Sequence, residues 1–388
     1  MYLIQKPASP ESCAENSLAM SLFLPYSVPR TMTAANLDKK SILTGRERFA
    51  AACARKALGR PPVWLMRQAG RVLPEYRRLK EKYTFVQLVQ TPALAAEVTL
   101  QPIWRFGFDA AILFSDILVI PEALGQPYHF RETGGVGMDF RIDSAADIDR
   151  LNVETVVDKL HYVAAALKLL RAELGHHTAL IGFTGSPWTL ATFMLEGGSV
   201  PVYTRAQALL ASDPQAFGRL MEKLTAAVTA YLQMQIAAGV DALQIFDSHG
   251  GQLPPERFMA ASGRWMKDII SQLKPVNGQA VPPVIVFSLG THGNWDDLAG
   301  LGASVLGIDA KVSIAEVRRQ LPATLGVQGN LDPACLLAAP EEVATATRRI
   351  LEDLRGQPGH IFNLGHGVPP AARLESVAAL VETVKTFK

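Results

Sequence analysis

The sequence has few of the residues that build metal or disulfide frameworks. Its three cysteines, Cys13, Cys53 and Cys335, lie far apart and form no C-x-x-C pair. An odd and scattered set of this kind argues against disulfides and is typical of a reducing compartment, which predicts a cytoplasmic protein. The histidines and cysteines also show no zinc-type spacing, so we expect no metal.

Charge and long apolar runs are scarce as well. Charged residues make up 19% of the 388 residues, and the formal net charge is +2. That charge is too small for a nucleic-acid footprint. No apolar run approaches the roughly 20 residues of a membrane helix. Nucleotide-binding signatures of the G-x-G-x-x-G or G-x-x-x-x-G-K-[ST] type are absent too. These absences predict a globular protein that binds neither nucleic acid nor membrane.

The N-terminal part differs from the rest of the chain. Glu11 and Glu15 precede a mildly apolar stretch, where a signal peptide would carry positive charge. We therefore predict that residues 1–41 are a disordered tail, or an extension upstream of a start at Met20 or Met32. Residues 42–388 are predicted to form one catalytic domain.

After about Gly59, short apolar runs alternate with longer helical patterns. Helical spacing is found at Pro214–Ala238, Pro255–Leu273 and Glu341–Leu354, and Gly134–Gly137 is predicted to turn a hairpin. Eight strand–helix units predict an α/β fold, a single (β/α)₈ barrel, although an open doubly wound sheet would give a similar pattern. The predicted strands are Val63–Met66, Ala111–Phe114, Leu180–Phe183, Ala242–Phe246, Val284–Phe287, Ser304–Ile308, Thr324–Val327 and Ile361–Leu364.

Polar residues cluster just past these strands, where a barrel enzyme carries its catalytic groups. They are Arg67, Gln68, Arg71, Ser115, Asp116, Asp247, Ser248, His249, Ser288, Thr291, His292, Asp309, Gln328, Asn330, Asn363 and His366.

Four of these positions indicate ligand binding. Arg67 and Arg71 form a cationic corner suited to carboxylate or phosphate, unless they are structural partners of Glu75 or Asp116. Asp116 follows an apolar strand and would either accept ligand N–H groups or pair with an arginine. His366 lies between two glycines that permit close ligand approach, although a lone histidine is more often structural. Adjacent Ser248 and His249 do not suit a Ser–His nucleophile, because adjacent side chains in an extended segment point apart.

Seven motifs in order resemble uroporphyrinogen decarboxylase, and the resemblance covers nearly everything after about Leu43. The longest are PVWLMRQAGR (Pro62–Arg71), FDAAILFSDILVIPEALG (Phe108–Gly125) and IGFTGSPWTLATFMLEGG (Ile181–Gly198). The four shorter motifs are LPEYR (Leu73–Arg77), DSHGG (Asp247–Gly251), QGNLDP (Gln328–Pro333) and NLGHG (Asn363–Gly367). All seven occur along the chain in the order found in the family. This family is a single (β/α)₈ barrel, usually a homodimer, that converts uroporphyrinogen to coproporphyrinogen without a cofactor.

The resemblance implies roles for individual residues. Arg67 and Arg71 would bind substrate carboxylates, and Asp116 would accept the four pyrrole N–H groups. Ser248 and His366 would hold further carboxylates, while Gln68, Ala69 and Gly70 would line the site. Either Arg67 or a substrate-bound water would deliver the proton.

The chain departs from the family pattern at two positions. Phe193 stands where the family has a tyrosine expected to contact the central aspartate and line the substrate site, and Ala310 stands where the family often has an aromatic residue. One alternative is therefore a diverged, non-catalytic tetrapyrrole-binding paralogue. A second is a corrinoid-linked methyltransferase, a barrel relative that binds zinc through His-x-Cys and a later Cys, but the chain contains no His-x-Cys.

Overall fold

A seven-stranded parallel sheet forms the centre of the described structure, a computed structural model that describes residues 43–132 and 134–388. The strand order is β1-β4-β5-β6-β7-β8-β9, and β2 and β3 form a separate antiparallel hairpin. The strands are β1 Ala110–Ile112, β2 Tyr128–Phe130, β3 Val136–Met138, β4 Ala179–Gly185, β5 Ala242–Asp247, β6 Val284–Ser288, β7 Val305–Gly307, β8 Gly326–Leu331 and β9 His360–Leu364.

Helices follow the strands and cover the outside of the sheet. The helices are α1 Gly45–Cys53, α2 Pro74–Lys80, α3 Phe85–Gln90, α4 Pro92–Phe106, α5 Val119–Leu124, α6 Ala145–Asp149, α7 Val156–Lys159, α8 His161–Leu174, α9 Pro187–Glu196, α10 Thr204–Ser212, α11 Pro214–Ala237, α12 Arg264–Gln272, α13 Trp295–Ala299, α14 Ile314–Gln320, α15 Pro340–Asp353 and α16 Leu374–Thr386. Short 3₁₀ turns are found at Gly250–Gln252, Pro255–Arg257 and Pro333–Leu337, and a π turn at Met259–Gly263.

Helix α11 illustrates how the sequence sets these elements. Asp213 accepts a hydrogen bond from the Ala216 N–H at 2.9 Å, and Pro214 occupies the first turn, where its missing N–H costs nothing. The helix then buries Phe217, Leu220 and Leu224 at helical spacing against the sheet side. Every residue of β4, β5 and β6 is buried, as expected of parallel strands covered on both faces.

The (β/α)₈ barrel prediction is confirmed, but the predicted first strand is wrong in detail. Val63 makes one parallel bridge to Phe362, and its carbonyl accepts the Asp109 N–H at 2.9 Å, so the segment joins the two end strands. The N–H groups of Val63, Leu65 and Met66 donate to side chains instead of to a neighbouring strand. Pro62 has no N–H to donate. The chain therefore closes the barrel without forming a regular strand.

Other element boundaries differ less. The predicted hairpin is present, and the strand predicted at Thr324–Val327 begins later, at Gly326. The helix predicted over Pro255–Leu273 is divided into a 3₁₀ turn, a π turn and α12. Periodicity does not separate these helix types, because apolar residues such as Phe258 and Trp265 are buried along the whole segment whichever helix type carries them. The predicted tail, residues 1–41, lies outside the described residues.

Candidate active site

A cavity of about 1530 Å³ opens at the carboxyl ends of the strands. Its walls come from the loop after Met66, the loop after β1, helix α9, the loop after β5, the loop after β9 and the β2–β3 hairpin. Eight of the nine predicted site residues line it: Arg67, Ala69, Gly70, Arg71, Asp116, Phe193, Ser248 and His366. The barrel therefore brings together residues separated by up to three hundred positions.

The loop carrying the two arginines has an unusual backbone. Arg67 has a φ of 61°, in the left-handed region that few non-glycine residues adopt, and Gly70 has a φ of 141°. The Val368 N–H donates to the Met66 carbonyl at 2.9 Å and fastens this loop to the last strand-end loop. Strained backbone held by its surroundings is typical of binding and catalytic sites.

Both arginines face the cavity without a carboxylate partner. Among the residues that the structure describes, no carboxylate oxygen lies within 4.0 Å of the Arg67 or Arg71 guanidinium, and Glu75 pairs with Arg105 instead. Arg67 is accessible from the cavity, but the surrounding protein and then Arg71 lower its pKa, while Asp116 opposes this shift. Two cations with no internal partner make a site for an anion.

Gln68 is the predicted site residue that does not line the cavity. Its side chain is buried, accepts a hydrogen bond from the Leu65 N–H at 3.0 Å and donates to the Ala110 carbonyl at 3.1 Å. The physical reason is the irregular closing segment, whose N–H groups need side-chain acceptors. Gln68 therefore holds the arginine loop against β1.

Asp116 lies between that loop and helix α5. Its Oδ1 accepts a hydrogen bond from the Leu118 N–H at 2.8 Å, and the carboxylate remains partly accessible. Burial raises the pKa of Asp116, while the Leu118 N–H and the Arg67 charge lower it. The carboxylate is thus fixed by one backbone bond, and its remaining acceptor positions are open to a ligand.

His366 lines the same cavity, close enough to Arg67 for the arginine charge to affect it. Its ring lies 6.3 Å from the Phe287 ring, centroid to centroid. Burial and the nearby Arg67 charge lower the pKa of His366, and Asp309 opposes them. A neutral ring at physiological pH can donate from one nitrogen and accept at the other. The backbone of the next residue, Gly367, lies in contact with the Arg67 side chain.

Asp247 precedes Ser248 and makes contacts that its place among the polar strand-end residues did not reveal. Asp247 is fully buried, and its carboxylate accepts hydrogen bonds from Ser186 at 2.7 Å, Ser288 at 2.8 Å and Thr189 at 3.1 Å. These hydroxyls satisfy the buried charge and tie three strand-end loops together. A cluster of hydroxyl residues after consecutive predicted strands was the available signal.

His249 does not form a pair with Ser248. One ring nitrogen, Nδ1, lies 2.7 Å from the Thr192 hydroxyl, and the ring stacks on Tyr203 at 4.0 Å. Burial lowers the pKa of His249 to about 4. The Phe193 ring lies 5.0 Å from this histidine and 5.8 Å from Tyr203. His249 therefore belongs to the packing behind Phe193.

Ser115 also lines the cavity, whereas five other polar strand-end residues are engaged in the barrel wall. His292 contacts Asp309 at 2.7 Å, and Asn330 donates to the Asp309 carbonyl at 2.7 Å. The Gln328 side chain accepts from the Trp64 indole at 2.9 Å, and Asn363 accepts from the Met66 N–H at 2.9 Å. These contacts shape the cavity without lining it.

Comparisons with known proteins agree with this geometry. Residues 44–387 match the family described as Uroporphyrinogen decarboxylase (URO-D). The chain belongs to the uroporphyrinogen decarboxylase family. It is 45% identical over 341 residues to the uroporphyrinogen decarboxylase of Alkalilimnicola ehrlichii, which covers 87% of this chain and 93% of that one. The family member of Methylococcus capsulatus is 46% identical over 343 residues, with 87% and 97% covered.

A solved structure shares the fold of this decarboxylase-family chain. A methyltransferase from Methanosarcina mazei superimposes with a TM-score of 0.73 at 18% identity, covering 89% of this chain and 99% of that one. The likeness concerns the fold alone. Within residues 43–132 and 134–388, no group of three or more His, Cys, Asp or Glu side chains is placed to hold a metal ion. No helix of the same residues is long and apolar enough to span a bilayer.

Proposed function

We propose that this protein is a uroporphyrinogen decarboxylase, which removes carbon dioxide from the four acetate side chains of uroporphyrinogen to give coproporphyrinogen. The observation that carries the proposal is the pair of carboxylate-free arginines, Arg67 and Arg71, facing the same cavity as the open carboxylate of Asp116. A ligand with peripheral carboxylates and central N–H groups complements this charge pattern.

The reaction needs an electron sink, and the substrate can supply it. A proton added to a pyrrole ring carbon makes the ring a cation. When the bond between the acetate methylene and its carboxylate breaks, the electron pair flows into that ring and carbon dioxide leaves. A proton then reaches the methylene carbon to give a methyl group, and the ring loses the proton it first received. We therefore expect no metal or organic cofactor.

The residues of the cavity would stabilise the charges that form during these reaction steps. Asp116, held by the Leu118 N–H, would accept the pyrrole N–H groups and stabilise the cationic ring. Arg67 and Arg71 would hold carboxylates around it, with Ser248 and His366 binding others. Fixed charges aimed at developing charge are typically the largest catalytic contribution. Phe193, His366, Ala69 and Gly70 would shape the cavity around the macrocycle.

Two further expectations belong to this proposal. The family resemblance favours a homodimer, and the cysteine pattern favours the cytoplasm.

Chelator treatment tests the cofactor-free chemistry. Protein dialysed against a strong chelator and incubated anaerobically with uroporphyrinogen should release carbon dioxide at an unchanged rate. Loss of activity that added zinc restores would overturn the cofactor-free mechanism. One tightly bound zinc per chain in the purified protein would favour the methyltransferase alternative.

A further inference from the structure

A group of cations at the cavity mouth is not used by the chemistry above. Arg77 and Lys80 on α2 and Lys82 just after it are exposed and line the cavity; we call these three residues the basic rim. In the described part of the chain, no carboxylate lies within 4.0 Å of any of them. Glu81 also lines the cavity, so the local excess is three positive charges against one negative.

An aromatic wall leads from the basic rim along the cavity. The ring of Tyr76 on α2 lies 5.5 Å from Phe114, which lies 5.3 Å from Phe85, and Phe85 lies 4.7 Å from Phe130 on the hairpin. All four rings line the cavity. An apolar wall beside unpaired cations concentrates the electric field in the opening, because the protein screens charge less than water does.

We propose that the basic rim captures a polyanionic, ring-shaped carboxylate substrate before it reaches Arg67 and Arg71. The substrate class rests on the proposed function. Within the described residues, Lys80 and Lys82 make no side-chain hydrogen bond or ion pair. A lysine carries a point charge on a flexible stem, which suits long-range attraction better than bidentate binding. The basic rim therefore acts on the rate of association, and Arg67 and Arg71 act on the bound state.

Paired lysine substitutions test this division. Uroporphyrin, a stable octacarboxylate, is mixed with the protein in a stopped-flow instrument at about 10 mM and about 0.5 M salt, where the screening lengths are about 30 Å and a few Å. Lys80→Gln with Lys82→Gln should slow association about 3- to 10-fold at low salt and have little effect at high salt. The dissociation rate should stay the same at both.

The chain offers a matched control on the same helix. Arg78 is exposed on α2 but does not line the cavity, so Arg78→Gln should slow association less than about twofold. Equal effects of the control and the lysine pair would overturn the proposal. So would a loss that persists at high salt, a change confined to dissociation, or no association of uroporphyrin with the natural protein.

The same proteins separate this proposal from the enzymatic one. Salt-dependent uroporphyrin association without decarboxylation of uroporphyrinogen would contradict the proposed function and support the basic rim. Normal decarboxylation with the same association rate at both salt concentrations would support the function and overturn the basic rim.

Discussion

Replacing Asp116 with asparagine removes the charge from the centre of the cavity and changes little else. Asparagine has a similar volume and keeps an Oδ1 that can accept the Leu118 N–H, now at 2.8 Å from the carboxylate. The second side-chain atom becomes an NH₂ group, which cannot accept the N–H groups of a pyrrole. The cavity would then hold the two arginine charges without a negative charge from Asp116.

The expected cost can be estimated from this geometry. Deleting one preorganised electrostatic contact typically lowers kcat by roughly 10²–10³, or about 2.7–4 kcal/mol in transition-state free energy. The thermal stability of the Asp116→Asn protein should not fall. Burial already raises the pKa of Asp116, which means that the folded protein disfavours the charge, so a neutral side chain should not lower the melting temperature.

Steady-state rates under reducing conditions and a calorimetric melting curve measure both effects. Asp139→Asn is a suitable control, because Asp139 is exposed on the hairpin side of the protein, contacts His129 and does not line the cavity. Retention of more than about a tenth of the natural kcat by Asp116→Asn would refute the electrostatic role. A melting temperature lowered by several degrees would instead show that Asp116 is structural.

Three further substitutions test the Arg67 position, the Phe193 departure and a buried hydroxyl away from the cavity. A Cβ on Gly367 would overlap Arg67 Cδ and lie 2.8 Å from its Cγ. Gly367→Ala should therefore displace this flexible side chain and raise KM about tenfold in a folded protein. An unchanged KM would argue against Arg67 as a carboxylate ligand. Phe193→Tyr should raise kcat tenfold or less when the variant and the natural protein are measured side by side. A natural protein with no activity that this substitution makes active would favour the paralogue alternative. Thr347 is fully buried, and its hydroxyl has no hydrogen-bond partner among the residues that the structure describes. Thr347→Val should therefore raise the free energy of unfolding by about 1 kcal/mol in urea titrations, whereas a decrease would mean that the hydroxyl is bonded.

Much of the fold could be predicted because its strands are buried on both faces. Runs such as Val284–Phe287 are apolar throughout and are not expected on the surface. The closing segment at Val63 could not be predicted in detail. Its apolar residues look like a strand, but its N–H groups bond to the side chains of Asp109, Gln68 and Asn363, which lie up to 297 positions away. Asp109 and Asn363 are too far along the chain to be recognised as partners from the local sequence.

The site was predictable as a set of strand-end residues, because a barrel gathers the carboxyl ends of its strands on one face. Which of them face the cavity was not predictable. Gln68 and Arg67 are adjacent, yet Gln68 is buried in the wall and Arg67 faces the cavity. Arg67 has a left-handed backbone that the sequence does not reveal. The basic rim was missed because Lys80 ends a helix and Lys82 follows it, well after the first predicted strand.

The central claim is that this cavity converts acetate side chains to methyl groups on a bound tetrapyrrole. The most direct test is anaerobic incubation of the natural protein with uroporphyrinogen, followed by oxidation of the product and a count of its carboxylates by mass spectrometry. The account predicts a final product with four carboxylates, reached through intermediates with seven, six and five. A tetrapyrrole that binds to the protein and keeps all eight carboxylates would contradict the account and leave a tetrapyrrole-binding protein in its place.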